Sequence, residues 1–296
     1  MNLQFRRYST ATAVVLFLSG PLYAADPASF EEKFEGAKPA VSALNGKLDL
    51  GYFHQSFDGT PVDLDGGYAI GSVSIPVMHS FGLQIDGGFG SVNANPGGGS
   101  ADLKGVAAHL FWRDPAKGLI GAYAHYANID VGAFDVDAWR YGVEAEAYLG
   151  PVSIEAFIGG DTLDGPGGSN SELNAELRAA YYFMDNYRVD VGINHQFDTT
   201  SLRVGAEALL PVADHRMSLY ALGTFNDDAT TVRAGLRFYF GEGGKSLMAR
   251  HREDDPSTRL FDYFDLDEAL GRVAPGGPPP VDPGQCGGPE QPPCPT

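Results

Sequence analysis

The chain lacks any run of 18 apolar residues after its first two dozen positions, which excludes a membrane-spanning helix from the body of the protein. Positive charge is scarce: 20 Lys and Arg stand against 38 Asp and Glu, a formal net charge of -18. A surface of that sign repels nucleic acid, so no DNA or RNA partner is expected. The seven histidines show no metal-ligand spacing such as HExxH. The glycine-rich stretches "NPGGGS" and "GPGGSN" have no following lysine and helix, so they read as flexible loops, not phosphate cradles. No cofactor and no metal site is expected.

What the chain does have begins with "MNLQFRRYSTATAVVLFLSGPLYAADP". The basic lead at Arg6 and Arg7, the short apolar run and the small residues at Ala24 and Ala25 form the pattern of a secretory signal peptide, residues 1–24. No cysteine follows that run, which gives no support to lipoprotein processing. Removal of residues 1–24, which hold two arginines and no acid, takes the net charge from -18 to -20. A polar leader, 25–46, comes next.

From 47 to 241 the dominant signal is strict alternation, helped by 39 glycines and by 18 Phe plus 14 Tyr. In "TTVRAGLRFYF" (230–240), Val232, Ala234, Leu236, Phe238 and Phe240 share one side, and Thr231, Arg233, Gly235, Arg237 and Tyr239 the other. Period-2 alternation bounded by Gly, Pro, Asn and Asp predicts twelve strands, at 47–57, 67–77, 81–92, 104–113, 118–128, 135–149, 152–162, 171–184, 187–197, 201–211, 217–226 and 230–240. A water-soluble sandwich alternates too. Three features favour a transmembrane barrel instead. The connections after strands 1, 3, 5 and 7 read as long and those after strands 2, 4, 6, 8 and 10 as short, as at the two rims of an outer-membrane barrel. Aromatics gather on the apolar side at both rims, with Phe81, Trp112, Phe183, Tyr187, Phe238 and Phe240 at one and Trp139, Tyr141, Phe197 and Phe225 at the other. The even strand count returns both ends to one side. The fold class is an all-β, antiparallel, twelve-stranded transmembrane barrel with a C-terminal extension.

Residues Arg233, Gly235, Phe238 and Phe240 fill the defined places of the assembly signal found on the last strand of outer-membrane β-barrel proteins. The stretch 47–241 resembles the porin-like barrels of alphaproteobacteria in Gram-negative outer membranes. The resemblance implies outer-membrane lipid and the barrel-assembly machinery as partners; it leaves the oligomeric state open. In such proteins the aromatic usually ends the chain, whereas here 56 residues follow Phe240.

The inward face carries the chemistry. Strands 6 to 8 point Glu144, Glu146, Glu155, Glu172 and Glu176 into the lumen, with Arg140 and Arg178 among them. Strands 9 to 12 point Arg188, Arg203, Arg233 and Arg237 inward, with Asp190 and Glu207. Facing walls of opposite sign would set a transverse field across a narrow pore for small polar solutes or ions. The other reading is that these charges pair and fill a closed interior. A closed barrel would then serve as an anchor for its tail. An enzymatic reading, by likeness to lipid-modifying outer-membrane barrels, needs a serine and histidine together; His195 with Ser201 is the nearest approach, ranked last because Ser201 points inward. The remaining histidines read as ordinary residues, His54 and His79 near strand ends and His215 in a turn.

The tail, 242–296, is expected in the periplasm, free to meet a partner there or threaded outward. Lys245, Arg250, His251 and Arg252 form a basic cluster suited to lipid headgroups. "STRLFDYFDLDEALG" (257–271) predicts a short helix that plugs the lumen, packs on the rim or binds a partner. The Pro- and Gly-rich end reads as a linker. Cys286 and Cys294, with seven residues between them, favour an intramolecular disulfide over free thiols or an intermolecular link.

Overall fold

The structure is a computed structural model, and it describes residues 38–97, 99–260 and 262. The signal peptide, the leader as far as residue 37, residues 261 and 263–271 of the expected helix, and Cys286 and Cys294 lie outside the described residues.

Twelve strands form: β1 (Asn45–Phe57), β2 (Asp63–Met78), β3 (Phe81–Asn95), β4 (Ser100–Asp114), β5 (Gly118–Asp130), β6 (Asp135–Leu149), β7 (Val152–Gly165), β8 (Gly168–Phe183), β9 (Tyr187–Gln196), β10 (Thr199–Leu209), β11 (Met217–Phe225) and β12 (Ala229–Phe240). Each pairs antiparallel with its sequence neighbours, and β1 pairs with β12 from Gly46↔Phe240 to Phe57↔Ala229, closing the barrel. Closure leaves no strand edge in lipid, where an unpaired backbone group has no water to turn to. Among the described residues no helix is long and apolar enough to cross a membrane.

Alternation divides the two faces. The outward set includes Ile85, Val106, Leu110, Ile120, Val143, Ile158, Leu177, Val191, Leu219 and Val232, all exposed. Exposed Phe81, Trp112, Tyr187 and Phe240 ring the rim that carries the ends of the barrel, here the terminal rim; Trp139, Tyr141 and Phe225 ring the far rim. Phe238 is half-buried in the terminal girdle. Phe197 does not join the far girdle. It sits with Asp198 in a left-handed turn after β9 (φ 48° and 63°), which breaks the period-2 parity and buries the ring inside the barrel.

The long loops expected at the far rim are largely strand. β2, β4 and β8 start early, at Asp63, Ser100 and Gly168, and β3, β5 and β7 run on to Asn95, Asp130 and Gly165, which shrinks those connections to 58–62, 96–99, 131–134 and 166–167. Ladder pairs such as Asp63↔Asn95 and Asp130↔Asp135 continue past the lipid band, since polar side chains disturb a hydrated ladder little. The longest described connection, 210–216, lies at the terminal rim.

Beyond β12 the chain turns back into the barrel. Gly241 and Gly244 adopt left-handed φ of 144° and 73°, and α1 (Leu247–Glu253) follows. Ser246 caps it by accepting a hydrogen bond from the Ala249 amide at 3.2 Å, and Pro256 stands just past its end. The described helix therefore lies ten residues before the expected one. Residues 257–259, inside the expected helix, have no regular structure.

Candidate functional site

The lumen holds two sets of polar contacts: wall to wall, and wall to tail. Within the wall, Arg178 donates to Glu155 at 2.5 Å and Arg188 donates to the other oxygen of Glu155 at 2.8 Å. Arg140 grips Asp161 with two bonds of 2.7 Å, and Arg237 grips Asp49 at 2.6 and 2.9 Å while reaching Glu207 at 2.7 Å. His109 sits between Glu144, 2.9 Å from Nδ1, and Asp86, 3.1 Å from Nε2. Tyr148 donates to Glu146 at 2.8 Å, and half-buried Glu172 lies opposite Asp161 in the β7–β8 ladder. The acidic and basic residues thus interleave along β7 to β10 and pair side by side. They do not confront each other as two walls across open space, because adjacent strands bring opposite charges together before the lumen is crossed.

The tail fills the middle. Arg252 donates to the carbonyls of Gly150 and Val152 at 2.8 and 3.0 Å, and Arg250 donates to the His215 carbonyl at 2.7 Å. Both arginines are buried, so these two members of the basic cluster face inward to the barrel's own carbonyls instead of outward to headgroups. Burial suits arginine here, since its guanidinium also lies over aromatic faces: Arg252 over Tyr148 at 4.9 Å, Arg250 over Tyr239 at 4.8 Å, and Arg259 over Phe157 at 5.1 Å. His251 sits 2.9 Å from the Tyr182 hydroxyl and 3.2 Å from that of Tyr239. Burial lowers its pKa, against an opposing pull from Glu207. Burial likewise raises the pKa of Asp255, with Lys47 pulling the other way.

Higher in the lumen, Lys47 donates to the Pro256 carbonyl at 2.6 Å, and Arg259 donates to Glu176 at 2.6 Å. Leu260 enters an apolar cluster with Phe53, Leu103, Ala127, Phe157 and Phe197. Asp262 lies 3.2 Å from Arg203 and 3.5 Å from Arg233, and its carbonyl accepts from Gln196 at the far end of β9. The described tail therefore climbs past the middle of the barrel. A cavity of about 110 Å³ remains beside it, lined by Asp49, Arg178, Arg188, Asp190, Arg203, Glu207, Arg233, Arg237 and Asp262 among others.

Barrels with this architecture have solved counterparts. An outer-membrane channel from Pseudomonas putida F1 superposes with a TM-score of 0.52 at 14% identity, over 69% of this chain and 98% of that one. The translocator domain of the autotransporter NalP from Neisseria meningitidis gives 0.51 at 11% identity, over 71% and 95%. The fold is that of a porin-like outer-membrane β-barrel. No protein-family model and no curated protein matches the sequence.

The residues of the last-strand signal divide between the faces, with Arg233 and Gly235 inward and Phe238 and Phe240 on the lipid side. His195 and Ser201 are not brought together. His195 is outward, 2.9 Å from Thr200 Oγ1, while Ser201 is buried inside with Asn226 at 3.5 Å. Sequence reasoning misses the lumenal roles of Asp86, His109, Lys47 and the tail charges. For the tail charges the signal is the mixture of both signs in "KSLMARHREDDPSTRLFD", a composition matched to a lumen lined with both.

Proposed function

We propose that the protein is an outer-membrane channel for small polar solutes or ions, held shut by its own C-terminal segment entering from the periplasmic rim. The observation that carries this reading is the split between the two sets of contacts. The pairs Arg178–Glu155, Arg188–Glu155, Arg140–Asp161 and Arg237–Asp49 are made entirely within the wall, so they persist when the tail leaves. The tail is held mainly by charged and polar groups that water can replace, with Leu247 and Leu260 as its fully buried apolar anchors. A channel of the same fold in Pseudomonas putida F1 adds support for conduction.

Planar-bilayer conductance tests the reading. Every strand partner lies between residues 45 and 240, so the barrel closes without the tail. Removing 242–296 should give discrete conductance steps, while the full chain should be silent or open briefly. Silence in both, with the barrel folded, would favour the second reading, a closed barrel that anchors residues beyond 262. The burial of Ala40 and Val41 at the terminal mouth is the observation in its favour.

A further inference from the structure

We infer that the barrel wall carries a binding site for carboxylate-bearing solutes, formed by Arg203 and Arg233, and that Asp262 occupies it as a built-in competitor. The inference rests on the channel reading for its purpose, since such a site selects what passes once the tail withdraws.

Arg203 on β10 and Arg233 on β12 point inward from strands separated only by β11, and both are almost fully buried. Their guanidiniums converge on one oxygen of Asp262, at 3.2 and 3.5 Å. The wall acid nearest to Arg203 is Glu176, at 3.8 Å, and Glu176 already accepts from Arg259 at 2.6 Å and lies 3.6 Å from Arg178. A guanidinium is a strong partner for a carboxylate, and two that converge on it from β10 and β12 hold it more firmly than one. Asp262 shows which chemical group fits. The neighbouring cavity of about 110 Å³ adds the room that a dicarboxylate longer than the aspartate side chain needs.

The geometry also gives the site its direction of control. An internal carboxylate and a free one compete for the same two arginines, so solute affinity is lowered by the fraction of barrels with the tail docked. By reciprocity, a bound dicarboxylate favours the undocked tail.

Calorimetric titration of succinate into the full-length protein, refolded in detergent at neutral pH, tests this directly. Asp262→Asn should tighten succinate binding at least about tenfold over the native chain, and Arg203→Gln with Arg233→Gln added should abolish the gain. Because an asparagine in place of Asp262 can still fill the space, Arg259→Gln with Asp262→Asn gives a second variant whose tail is released. Succinate should also speed proteolysis of the native tail. No tightening in either variant, or a gain that survives loss of both wall arginines, would overturn the site. Binding is read without conduction, so a silent bilayer beside a positive titration would remove the channel reading alone, and conduction without tightening would remove the site alone.

Discussion

Tyr68 and Tyr220 meet hydroxyl to hydroxyl, 2.9 Å apart, over the seam that closes the barrel. Between them lie Gly51 of β1 and Gly235 of β12, directly opposed, with Tyr68 level with Gly51 and Tyr220 level with Gly235. Two tyrosines thus reach across two strands because neither intervening residue has a side chain. Gly235 also belongs to the last-strand signal, so one residue serves the seam as packing and as sequence.

Substituting Gly235 by Ala should destabilise the barrel by about 1–3 kcal/mol, the usual range for overpacking. A Cβ there would stand 2.6 Å from the Tyr220 hydroxyl and against the Leu50 carbonyl, which is backbone and cannot swing away. The check is the urea midpoint of the folded band on unheated gels. Tyr220→Phe should restore only part of the loss, because the carbonyl contact stays.

Adjacent residues on β6 should respond in opposite ways to a change of charge. Val143 is outward near the middle of the strand, and Glu144 is inward beside His109. Val143→Arg should cost ~2–4 kcal/mol at the bilayer midplane, measured by guanidinium unfolding in lipid vesicles. Glu144→Gln, which keeps the shape and a hydrogen bond, should cost less than half of that and leave insertion intact.

Arg259→Gln should release the tail without unfolding the barrel. The change leaves Glu176 with wall arginines at 3.6 and 3.8 Å and takes a 2.6 Å charge-assisted bond from the tail. Loss of a buried partner typically costs several kcal/mol, and the two wall arginines that stay beside Glu176 reduce this to about 1–2 kcal/mol. Limited proteolysis should cut the variant tail about 5- to 30-fold faster, with strand content unchanged by circular dichroism.

Acid should also release the tail. His251 has a docked pKa below the usual 6.5, chiefly through burial. The free tail therefore binds more protons below that value, and docking weakens as pH falls from about 6.5, by up to about tenfold per pH unit. Facing His251 are Tyr182, Arg188, Glu207, Arg237 and Tyr239, and the two arginines reinforce the sign. Asp255, whose pKa is raised, acts oppositely and at lower pH, above its usual 3.8. Tail proteolysis at pH 7.5 and 5.5 should differ in the native chain and differ less in His251→Gln.

The strands are legible in the sequence because lipid and lumen impose opposite demands on alternate residues, and that pressure is continuous along each strand. Alternation alone assigns Val143 and Glu144 to their faces. It misplaces Phe197 because one left-handed turn residue resets the parity, and nothing in its neighbours marks the reset. The strand extensions at the far rim are hidden because outside lipid the alternation weakens while the ladder does not. Arg250 and Arg252 read as headgroup ligands because a charge cluster near a membrane has two destinations open to it. Which one wins depends on carbonyls at Gly150, Val152 and His215 that only the closed barrel brings together.

The glycine-bearing turn after β12 has a kinetic consequence. Only residues 241–246 separate the last strand from α1, a tether of at most ~20 Å. So short a leash holds the helix at the mouth at an effective concentration in the millimolar range. Closure is then first order, independent of how many copies the membrane holds. A free peptide with the tail's sequence would have to reach comparable concentrations before it displaced the resident one.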